Sequence, residues 1–249
     1  MQTHVYGLVG RKLGHSFSKT YFGNKFAREG IDAVYLNFEL PDAAGILRLR
    51  EAYPGLRGFN VTIPYKEDVL PLLDAIDPTA LEIGAVNTVR VDAEGRLTGY
   101  NTDAPGFAGS LKDMLGGTPV PSRALVCGTG GASKAVVHAL RTLGCTPTLL
   151  SRKRGRGQLC YDDITPETVR EHTLIVNTTP LGTAPDCDSA PALPYGAVTP
   201  AHYCFDLVYN PDPTRFMQLC AARGAAVRSG LDMLHRQAEA AWHIWNEKS

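Results

Sequence analysis

The stretch from Leu125 to Lys134, LVCGTGGASK, most strongly limits what this chain can fold into. An apolar run that ends at Cys127 predicts a buried strand, and three glycines follow it within four residues. Residues 132–143 then have the spacing of an amphipathic helix. Glycines between a strand and a helix let a pyrophosphate approach the free N–H groups at the helix start. Because Ser133 replaces the third glycine of the usual dinucleotide pattern, an ordinary strand-to-helix turn is the alternative at this point.

The residues after the next predicted strand, at 146–150, distinguish between the two nicotinamide dinucleotides. Such a fold places its ribose-reading residue at the end of that strand, about 20 residues after the glycines, and an acid there favours NAD. This chain has Ser151, Arg152, Lys153 and Arg154 instead. A cation about 4 Å from a 2′-phosphate gains roughly 4 kcal/mol per charge pair at an effective dielectric of about 20, before desolvation is subtracted. The pattern therefore favours NADP, with a solvated basic loop as the alternative.

Composition limits the class of protein. The 249 residues, 44% of them hydrophobic, are enough for one large or two small cores, and predicted strands alternate with predicted helices, which is typical of an α/β fold. The 25 basic and 25 acidic residues cancel and form no long blocks, so we expect neither nucleic acid nor a membrane as partner. Six scattered cysteines, with no leader and no long apolar segment, predict a reduced cytoplasmic protein without a metal site.

The first part of the chain predicts a βαβαβ run with parallel strands. Strands are predicted at 3–9, 33–38 and 56–62, and helices after residue 16 and at 41–53. Ligands of such sheets collect beyond the carboxyl ends of the strands, where Asn60, Thr62 and Lys66 fall. Pro64 breaks any helix there, so we expect Lys66 on a rigid loop. A solvated surface lysine is the alternative.

Other polar residues stand at predicted helix starts. Ser16 is a good N-cap by type, and together with Ser18 it would instead aim two hydroxyls at an anion such as a carboxylate. A pair of strands predicted at 83–91 and 96–100 carries Asn87. Asp103 precedes a helix predicted at 107–115, either as its N-cap or as a functional carboxylate.

The end of the chain predicts one more helix, which opens at Gly230. Its predicted buried stripe contains Leu231, Leu234, Ala238, Trp242 and Trp245. Met233 and Gln237 form an i, i+4 pair beside this stripe. A polar side chain that borders a buried stripe needs a partner or a ligand, so Gln237 is a candidate for binding.

Taken together, these segments resemble the shikimate dehydrogenase family over essentially the whole chain. The matching stretches are HSFS at 15–18, NVTIPYK at 60–66, GAVNT at 84–88, YNTD at 100–103, GTGGASK at 128–134, NTTPLG at 177–182, DLVYNP at 206–211, and GLDML with QA at 230–238. The resemblance implies a two-domain α/β fold. A βαβ substrate-binding domain at 1–103 and 229–249 would include the returning C-terminal helix, and a Rossmann-type doubly wound domain at 104–228 would bind the dinucleotide. The glycine- and proline-rich residues 114–122 are the best linker in the chain.

The resemblance also implies an activity and a set of site residues. The activity is the NADP-dependent reversible reduction of 3-dehydroshikimate to shikimate in aromatic amino-acid biosynthesis through chorismate, by a monomer or homodimer. Lys66 and Asp103 match the catalytic pair. The implied substrate-binding residues are Ser16, Ser18, Asn60, Thr62, Lys66, Asn87, Asp103, Tyr209 and Gln237. The implied cofactor-binding residues are Gly128, Gly130, Gly131, Ala132, Ser151, Arg152, Lys153, Arg154, Thr178, Pro180, Val208, Gly230 and Met233. The cation that binds the 2′-phosphate is left open, and Arg152 matches the family's arginine.

Three alternatives stay open at the level of sequence. The quinate/shikimate dehydrogenase branch shares the substrate motifs but often uses NAD, which the basic cluster disfavours. The methylenetetrahydrofolate dehydrogenases are of similar build but lack the paired serines combined with the NVT and NTD stretches. A non-catalytic nucleotide or metabolite sensor of the same fold would be expected to lose the acid–base pair, and both Lys66 and Asp103 are present.

Overall fold

The computed structural model describes residues 3–14 and 16–247, which form two compact α/β units. The first unit extends up to Thr102 and resumes at Ala238, and the second spans Asp103–Gln237. A two-domain α/β fold is thereby confirmed, while the predicted domain limits at 103/104 and 228/229 stay predictions. His15, the first residue of the HSFS stretch, lies outside the described residues. Within the described ranges, no helix has the length and apolar character needed to cross a membrane.

The first unit is built on a mixed six-stranded sheet of order β2-β1-β3-β5-β6-β4. Its strands are β1 (His4–Gly10), β2 (Ala33–Glu39), β3 (Leu56–Val61), β4 (Ala75–Ile76), β5 (Thr88–Val91) and β6 (Leu97–Tyr100). Its helices are α1 (Phe17–Glu29), α2 (Ile46–Ala52) and α3 (Pro78–Ile83). β1 pairs in parallel with both β2 and β3, which confirms the predicted βαβαβ start. β5 is antiparallel to β3 and to β6.

The second unit is built on a six-stranded sheet of order β12-β11-β10-β7-β8-β9, all of whose pairings are parallel. Its strands are β7 (Arg123–Cys127), β8 (Thr146–Ser151), β9 (Leu159–Cys160), β10 (Leu174–Asn177), β11 (Tyr203–Asp206) and β12 (Ala226–Arg228). Its helices are α4 (Asp103–Leu115), α5 (Gly131–Thr142), α6 (Pro166–Glu171), α7 (Arg215–Ala221) and the first part of α8 (Leu231–Asn246). Numbered within the unit, the strand order is 3-2-1-4-5-6, the order of the doubly wound dinucleotide-binding fold.

Several predicted elements differ from the structure at their ends. The helix predicted from residue 41 begins as a short 3₁₀ turn that Asp42 caps, and α2 starts only at Ile46. The strand predicted at 83–91 starts at Thr88, because the preceding residues end α3 with Gly84 in the left-handed conformation. α4 begins at Asp103, which is therefore its first helical residue rather than its N-cap.

The buried face of α8 also differs from the predicted stripe. Leu231 is 38% exposed and Leu234 is half-buried, whereas Met233 and Gln237 are buried. The two halves of this helix belong to different units. Ala238, Ala241 and Trp245 pack into the aromatic cluster of the first unit, in which Tyr6, Phe22, Phe26 and Tyr35 also lie. The buried residues of α8 still follow one stripe at helical spacing, but this stripe is rotated from the predicted one toward Met233 and Gln237, while Ala238 and Trp245 are buried as predicted.

Candidate active site

Lys66 lies in the turn after β3, and a buried tyrosine fixes this turn. Tyr65 is 1% exposed, its hydroxyl donates to the Leu40 carbonyl oxygen at 2.7 Å, and its N–H donates to the Thr62 carbonyl oxygen at 3.0 Å. The carbonyl oxygen of Lys66 accepts a hydrogen bond from the Val86 N–H at 2.8 Å. The backbone of Lys66 is thus anchored on both sides, and its side chain is half-buried.

A network of buried polar side chains crosses the sheet of the first unit. Tyr35 on β2 donates its hydroxyl to Asn60 Oδ1 at 2.8 Å. Burial raises the pKa of the Tyr35 phenol, and a hydrogen bond with Ser18 acts against that rise. The Asn60 amide nitrogen donates to the Asn87 carbonyl oxygen at 3.2 Å and to Thr88 Oγ1 at 3.0 Å. With its N–H groups used inside the protein, Asn60 retains one lone pair on Oδ1 to accept a ligand hydroxyl.

The same network extends to the residue before Asp103. Asn87 donates from Nδ2 to Thr102 Oγ1 at 3.0 Å, and the Thr102 N–H donates to Asn87 Oδ1 at 2.7 Å. Thr88 Oγ1 lies 3.2 Å from Thr102 Oγ1. All three side chains are buried, and buried polar groups that satisfy one another hold a single arrangement. The structure therefore joins Asn60 and Asn87, which are far apart in sequence, and has Ser18 beside Tyr35 at the edge of this network.

Three members of this network were not among the predicted site residues. Tyr35 has the character of a core aromatic in a strand, and only its hydrogen bonds distinguish it from one. Thr88 and Thr102 belong to the GAVNT and YNTD stretches, and this membership was the one feature of the sequence that could have indicated them.

The serines before and in α1 have different roles. Ser16 is the N-cap of α1, and its hydroxyl oxygen accepts a hydrogen bond from the Lys19 N–H at 3.3 Å. This cap was one of the two predicted roles of Ser16. Ser18 is buried within the helix, next to Tyr35. Thr62 is half-buried at the end of β3, where its N–H donates to the Val9 carbonyl oxygen at 2.9 Å.

The glycine turn of the second unit follows β7, at the point where the strand order reverses. Gly128 has a φ of +114°, and a Cβ there would lie 2.6 Å from Thr178 Oγ1 in the loop after β10. Gly130 is the N-cap of α5, and a Cβ on it would meet nothing within 4 Å. Gly131 and Ala132 form the first turn of this helix. The space beside Gly130 at the start of α5 is therefore open, which leaves room for a pyrophosphate at the helix N-terminus.

Ser133 occupies the position of the missing third glycine without leaving its hydroxyl unpaired. The side chain is fully buried, and Oγ donates to the Gly130 carbonyl oxygen at 2.6 Å. A serine at this position thus closes the turn instead of disrupting it.

The basic loop after β8 is partly engaged by the protein itself. Ser151 is buried, and its Oγ accepts a hydrogen bond from the Lys153 N–H at 3.1 Å. The Arg154 guanidinium donates to both oxygens of Asp163, at 2.8 and 3.0 Å, and these bonds raise the pKa of Arg154. Arg152 and Lys153 are exposed and make no ion pair among the described residues. We therefore expect Arg152 and Lys153, rather than Arg154, to be available to a phosphate.

A buried carboxylate connects the loops after β10 and β11. Asp206 accepts hydrogen bonds from Asn177 Nδ2 at 2.9 Å, from the Val208 N–H at 3.0 Å and from Thr214 Oγ1 at 2.6 Å. It is fully buried, and this burial raises the pKa of its carboxyl group to about 6. Thr178 and Pro180 follow Asn177 in one loop, and Val208 lies in the other. Asp206 therefore fixes both loops, whose residues are predicted to lie near the nicotinamide or its ribose.

The start of α8 is tied to the same loops. A Cβ at Gly230 would lie 2.2 Å from the Leu207 carbonyl oxygen, so no side chain fits there. The Gly230 N–H donates to the Val208 carbonyl oxygen at 3.2 Å. Further along α8, Met233 and Gln237 are each 7% exposed.

The predicted substrate residues are divided between the two units. Those in the first unit are Ser16, Ser18, Asn60, Thr62, Lys66 and Asn87, and those in the second are Asp103, Tyr209 and Gln237. Asp103 is 6% exposed and Tyr209 is 36% exposed. The pairing of Lys66 with Asp103 stays a prediction. Among the described residues, no group of three or more His, Cys, Asp or Glu side chains is arranged to hold a metal ion.

Comparison with known proteins agrees with this architecture. The family model of the shikimate dehydrogenase substrate binding domain matches residues 8–89. The shikimate dehydrogenase (NADP(+)) of Moorella thermoacetica is 39% identical over 98% of this chain and 88% of its own length. The structure of Thermus thermophilus shikimate 5-dehydrogenase in complex with NADP(H) and shikimate is 35% identical, with a TM-score of 0.84 over 98% of this chain and 93% of that one.

A quinate dehydrogenase has a similar structure. The enzyme from Corynebacterium glutamicum, solved in complex with NAD, is 27% identical, with a TM-score of 0.88 over 99% of this chain and 94% of that one. The identity to the Moorella protein over nearly the full length of both chains shows the family directly. This chain belongs to the shikimate dehydrogenase family.

Proposed function

We propose that this chain is an NADP-dependent shikimate dehydrogenase, which interconverts 3-dehydroshikimate and shikimate in aromatic amino-acid biosynthesis. The observation that carries the proposal is the buried network of the first unit. It joins Asn60 and Asn87 through hydrogen bonds and has Ser18 beside Tyr35, although these residues come from three separate stretches typical of the family. The Thermus relative, whose structure holds NADP(H) and shikimate, supports the same pair of ligands.

The substrate-binding part is proposed as 1–103 and 229–249, and the dinucleotide-binding part as 104–228. We expect the protein to act in the cytoplasm, as a monomer or homodimer. In the substrate-binding part, Ser16 and Ser18 would hold the carboxylate, and Asn60, Thr62, Asn87, Tyr209 and Gln237 would hold the remainder of the ring. Neutral hydroxyl and amide groups suit a polyol ring, because each ring hydroxyl both donates and accepts.

Lys66 and Asp103 are proposed as the catalytic pair. Bound NADPH supplies the hydride that reduces the carbonyl carbon. Negative charge then grows on the carbonyl oxygen, and the Lys66 ammonium would stabilise that charge and deliver a proton to the oxygen. The Asp103 carboxylate would orient the ammonium through a hydrogen bond. In the reverse direction Lys66 takes the proton back from the shikimate hydroxyl.

The second unit offers a fitting site for the dinucleotide. The open N-terminus of α5 at Gly130 and Gly131 would hold the pyrophosphate. No acid stands at the end of β8, and the exposed Arg152 and Lys153 would bind a 2′-phosphate there. Thr178 and Pro180 would lie beside the nicotinamide ribose, and Val208, Gly230 and Met233 near the nicotinamide itself.

The alternative candidate is a quinate/shikimate dehydrogenase that uses NAD, which the likeness to the Corynebacterium enzyme favours. The two candidates are separated by initial rates of the purified protein with shikimate or quinate, each with NADP⁺ or NAD⁺. We expect the highest kcat/KM for shikimate with NADP⁺. A higher kcat/KM for quinate with NAD⁺ would favour the alternative, and binding without turnover of any pair would indicate a sensor.

A further inference from the structure

The first half of α8 lies against α4 at two glycines of α4. A Cβ at Gly106 would lie 3.0 Å from the Met233 carbonyl oxygen and 3.3 Å from both the Cβ and the backbone nitrogen of Gln237. The three atoms nearest to a Cβ at Gly109 all belong to the Arg236 side chain, with Nη1 at 3.0 Å and Cδ at 3.3 Å. The two positions thus differ in what surrounds them. Gly106 faces rigid backbone, and Gly109 faces the flexible end of a long side chain.

The close approach at Gly106 places two predicted substrate residues near one another. Asp103 precedes Gly106 by three residues on α4, and residues three apart lie on the same face of a helix. Gln237 contacts that face directly at Gly106. Any increase in the distance between the helices at Gly106 would therefore move the amide of Gln237 relative to the carboxylate of Asp103.

The side-chain amide of Gln237 has one atom bonded within the protein and one atom available to a ligand. Its side chain is nine-tenths buried, and Nε2 donates to the Leu234 carbonyl oxygen at 3.0 Å. Among the described residues, the Oε1 atom of Gln237 has no protein partner. This oxygen is available to accept a hydrogen bond, and a ring hydroxyl would supply one.

Charged side chains fix the register of α8 on α4. Arg236 donates to Asp232 Oδ2 at 2.9 Å on its own helix and to the Asp113 carboxylate on α4. Arg228 donates to the Ser110 carbonyl oxygen of α4 at 2.8 Å and to Asp232 at 3.3 Å. These bonds hold the two helices together one to two turns from Gly106, so an added side chain at Gly106 cannot be relieved by sliding the helices alone.

We infer that Gly106 is a positioning residue for the substrate. Its lack of a side chain sets the separation of α4 and α8, and this separation places the Gln237 amide and the Asp103 carboxylate at the distance needed to hold neighbouring oxygens of one ring. The inference rests on the proposed function, since it takes the shikimate ring as the shared ligand.

The test compares Gly106→Ala with Gly109→Ala. Both variants add one methyl group to the same helix and raise its helix propensity equally. Gly106→Ala is expected to raise KM for shikimate on the order of tenfold, because a shift of a few tenths of an ångström weakens two hydrogen bonds to the ring. KM for NADP⁺ should change less than KM for shikimate, because the proposed pyrophosphate and 2′-phosphate contacts lie at α5 and the loop after β8, and Met233 meets the added methyl group only through its backbone carbonyl oxygen. Gly109→Ala should leave both KM values near those of the wild type, because the flexible Arg236 side chain can shift by a few tenths of an ångström and keep its bonds to Asp113 and Asp232.

A double-mutant cycle shows whether Gly106 acts through Gln237. In a Gln237→Ala background, Gly106→Ala should add little to KM for shikimate. An unchanged KM for shikimate in Gly106→Ala, or an equal increase in both backgrounds, would overturn the inference.

A second variant covers the case in which Gly106→Ala does not fold. Arg236→Met releases α8 from Asp113 without touching the contact at Gly106. It is expected to raise KM for shikimate several-fold with a smaller change in KM for NADP⁺, and an unchanged KM for shikimate would then overturn the inference. Turnover of shikimate by the wild type is measured first, and its absence would overturn the proposed function together with this inference. If the wild type turns over shikimate but Gly106→Ala leaves KM for shikimate unchanged, the inference is overturned and the proposed function is not.

Discussion

Replacing Asp206 by asparagine should change how the stability of the protein depends on pH. The Asp206 carboxyl group is fully buried and accepts hydrogen bonds only from neutral donors, namely Asn177, Val208 and Thr214. Burial raises its pKa from the ordinary value of 3.8 to about 6. An asparagine keeps the shape, and its oxygen still accepts from Asn177 and Val208, but it does not titrate.

The sign of the effect follows from proton binding. Between pH 3.8 and about pH 6 the folded protein holds the Asp206 proton more tightly than the unfolded chain does, so the free energy of unfolding falls as the pH rises. The stabilisation from the protonated form is complete below pH 3.8 and is lost as the pH rises through about 6. A difference of roughly two pKa units corresponds to about 3 kcal/mol in total. About 1.4 kcal/mol of this is lost between pH 5 and pH 8.

The assay is urea denaturation followed by circular dichroism at pH values from 5 to 8. The free energy of unfolding of Asp206→Asn minus that of the wild type should rise by about 1.4 kcal/mol over this range. Asp188→Asn, at an exposed position of the same unit, is the control and should show no comparable trend. Trp242 and Trp245 both belong to the first unit, so their fluorescence follows that unit separately. A difference that is constant with pH, or that falls as the pH rises, would refute the reasoning.

Two further substitutions separate structural from binding roles. Ser16→Ala removes the cap bond to the Lys19 N–H and should lower the free energy of unfolding by about 1 kcal/mol, whereas Ser16→Gly should lower it by only a few tenths. Both variants lose the hydroxyl that would hold the substrate, so both should raise KM for shikimate equally. If KM rises only in the less stable Ser16→Ala variant, Ser16 acts as a helix cap and does not bind the substrate. Arg152→Ala should raise KM for NADP⁺ on the order of tenfold without changing KM for NAD⁺. Arg154→Ala should have a smaller effect because Asp163 binds that guanidinium, and the reverse order would assign the phosphate to Arg154.

Local patterns predicted those parts of the fold that depend on neighbours in sequence. The buried strand and the helix on either side of Gly128 form as expected, because glycines, apolar runs and helical spacing act over a few residues. The cap at Ser16 follows from the same local rules. The parallel start of the chain follows from the order of its elements.

Features that depend on distant partners did not show in the sequence. The hydrogen bond of Tyr35 to Asn60 joins residues far apart in the chain, and the residue type of Tyr35 alone indicates a core position. The ion pair of Arg154 with Asp163 likewise depends on how the loop folds back. Periodicity predicted Ala238 and Trp245 as buried but misplaced the start of the stripe on α8, where Met233 is buried and Leu231 is exposed.

The turnover of Lys66→Ala tests the central claim most directly. If Lys66 delivers the proton, its removal should lower kcat with shikimate and NADP⁺ by about 10² to 10⁴, while the affinity for shikimate changes less. Lys112→Ala, at an exposed position on α4, is the matched control and should keep the wild-type kcat. A kcat of Lys66→Ala close to that of the wild type would contradict the assignment of Lys66 and with it the proposed mechanism.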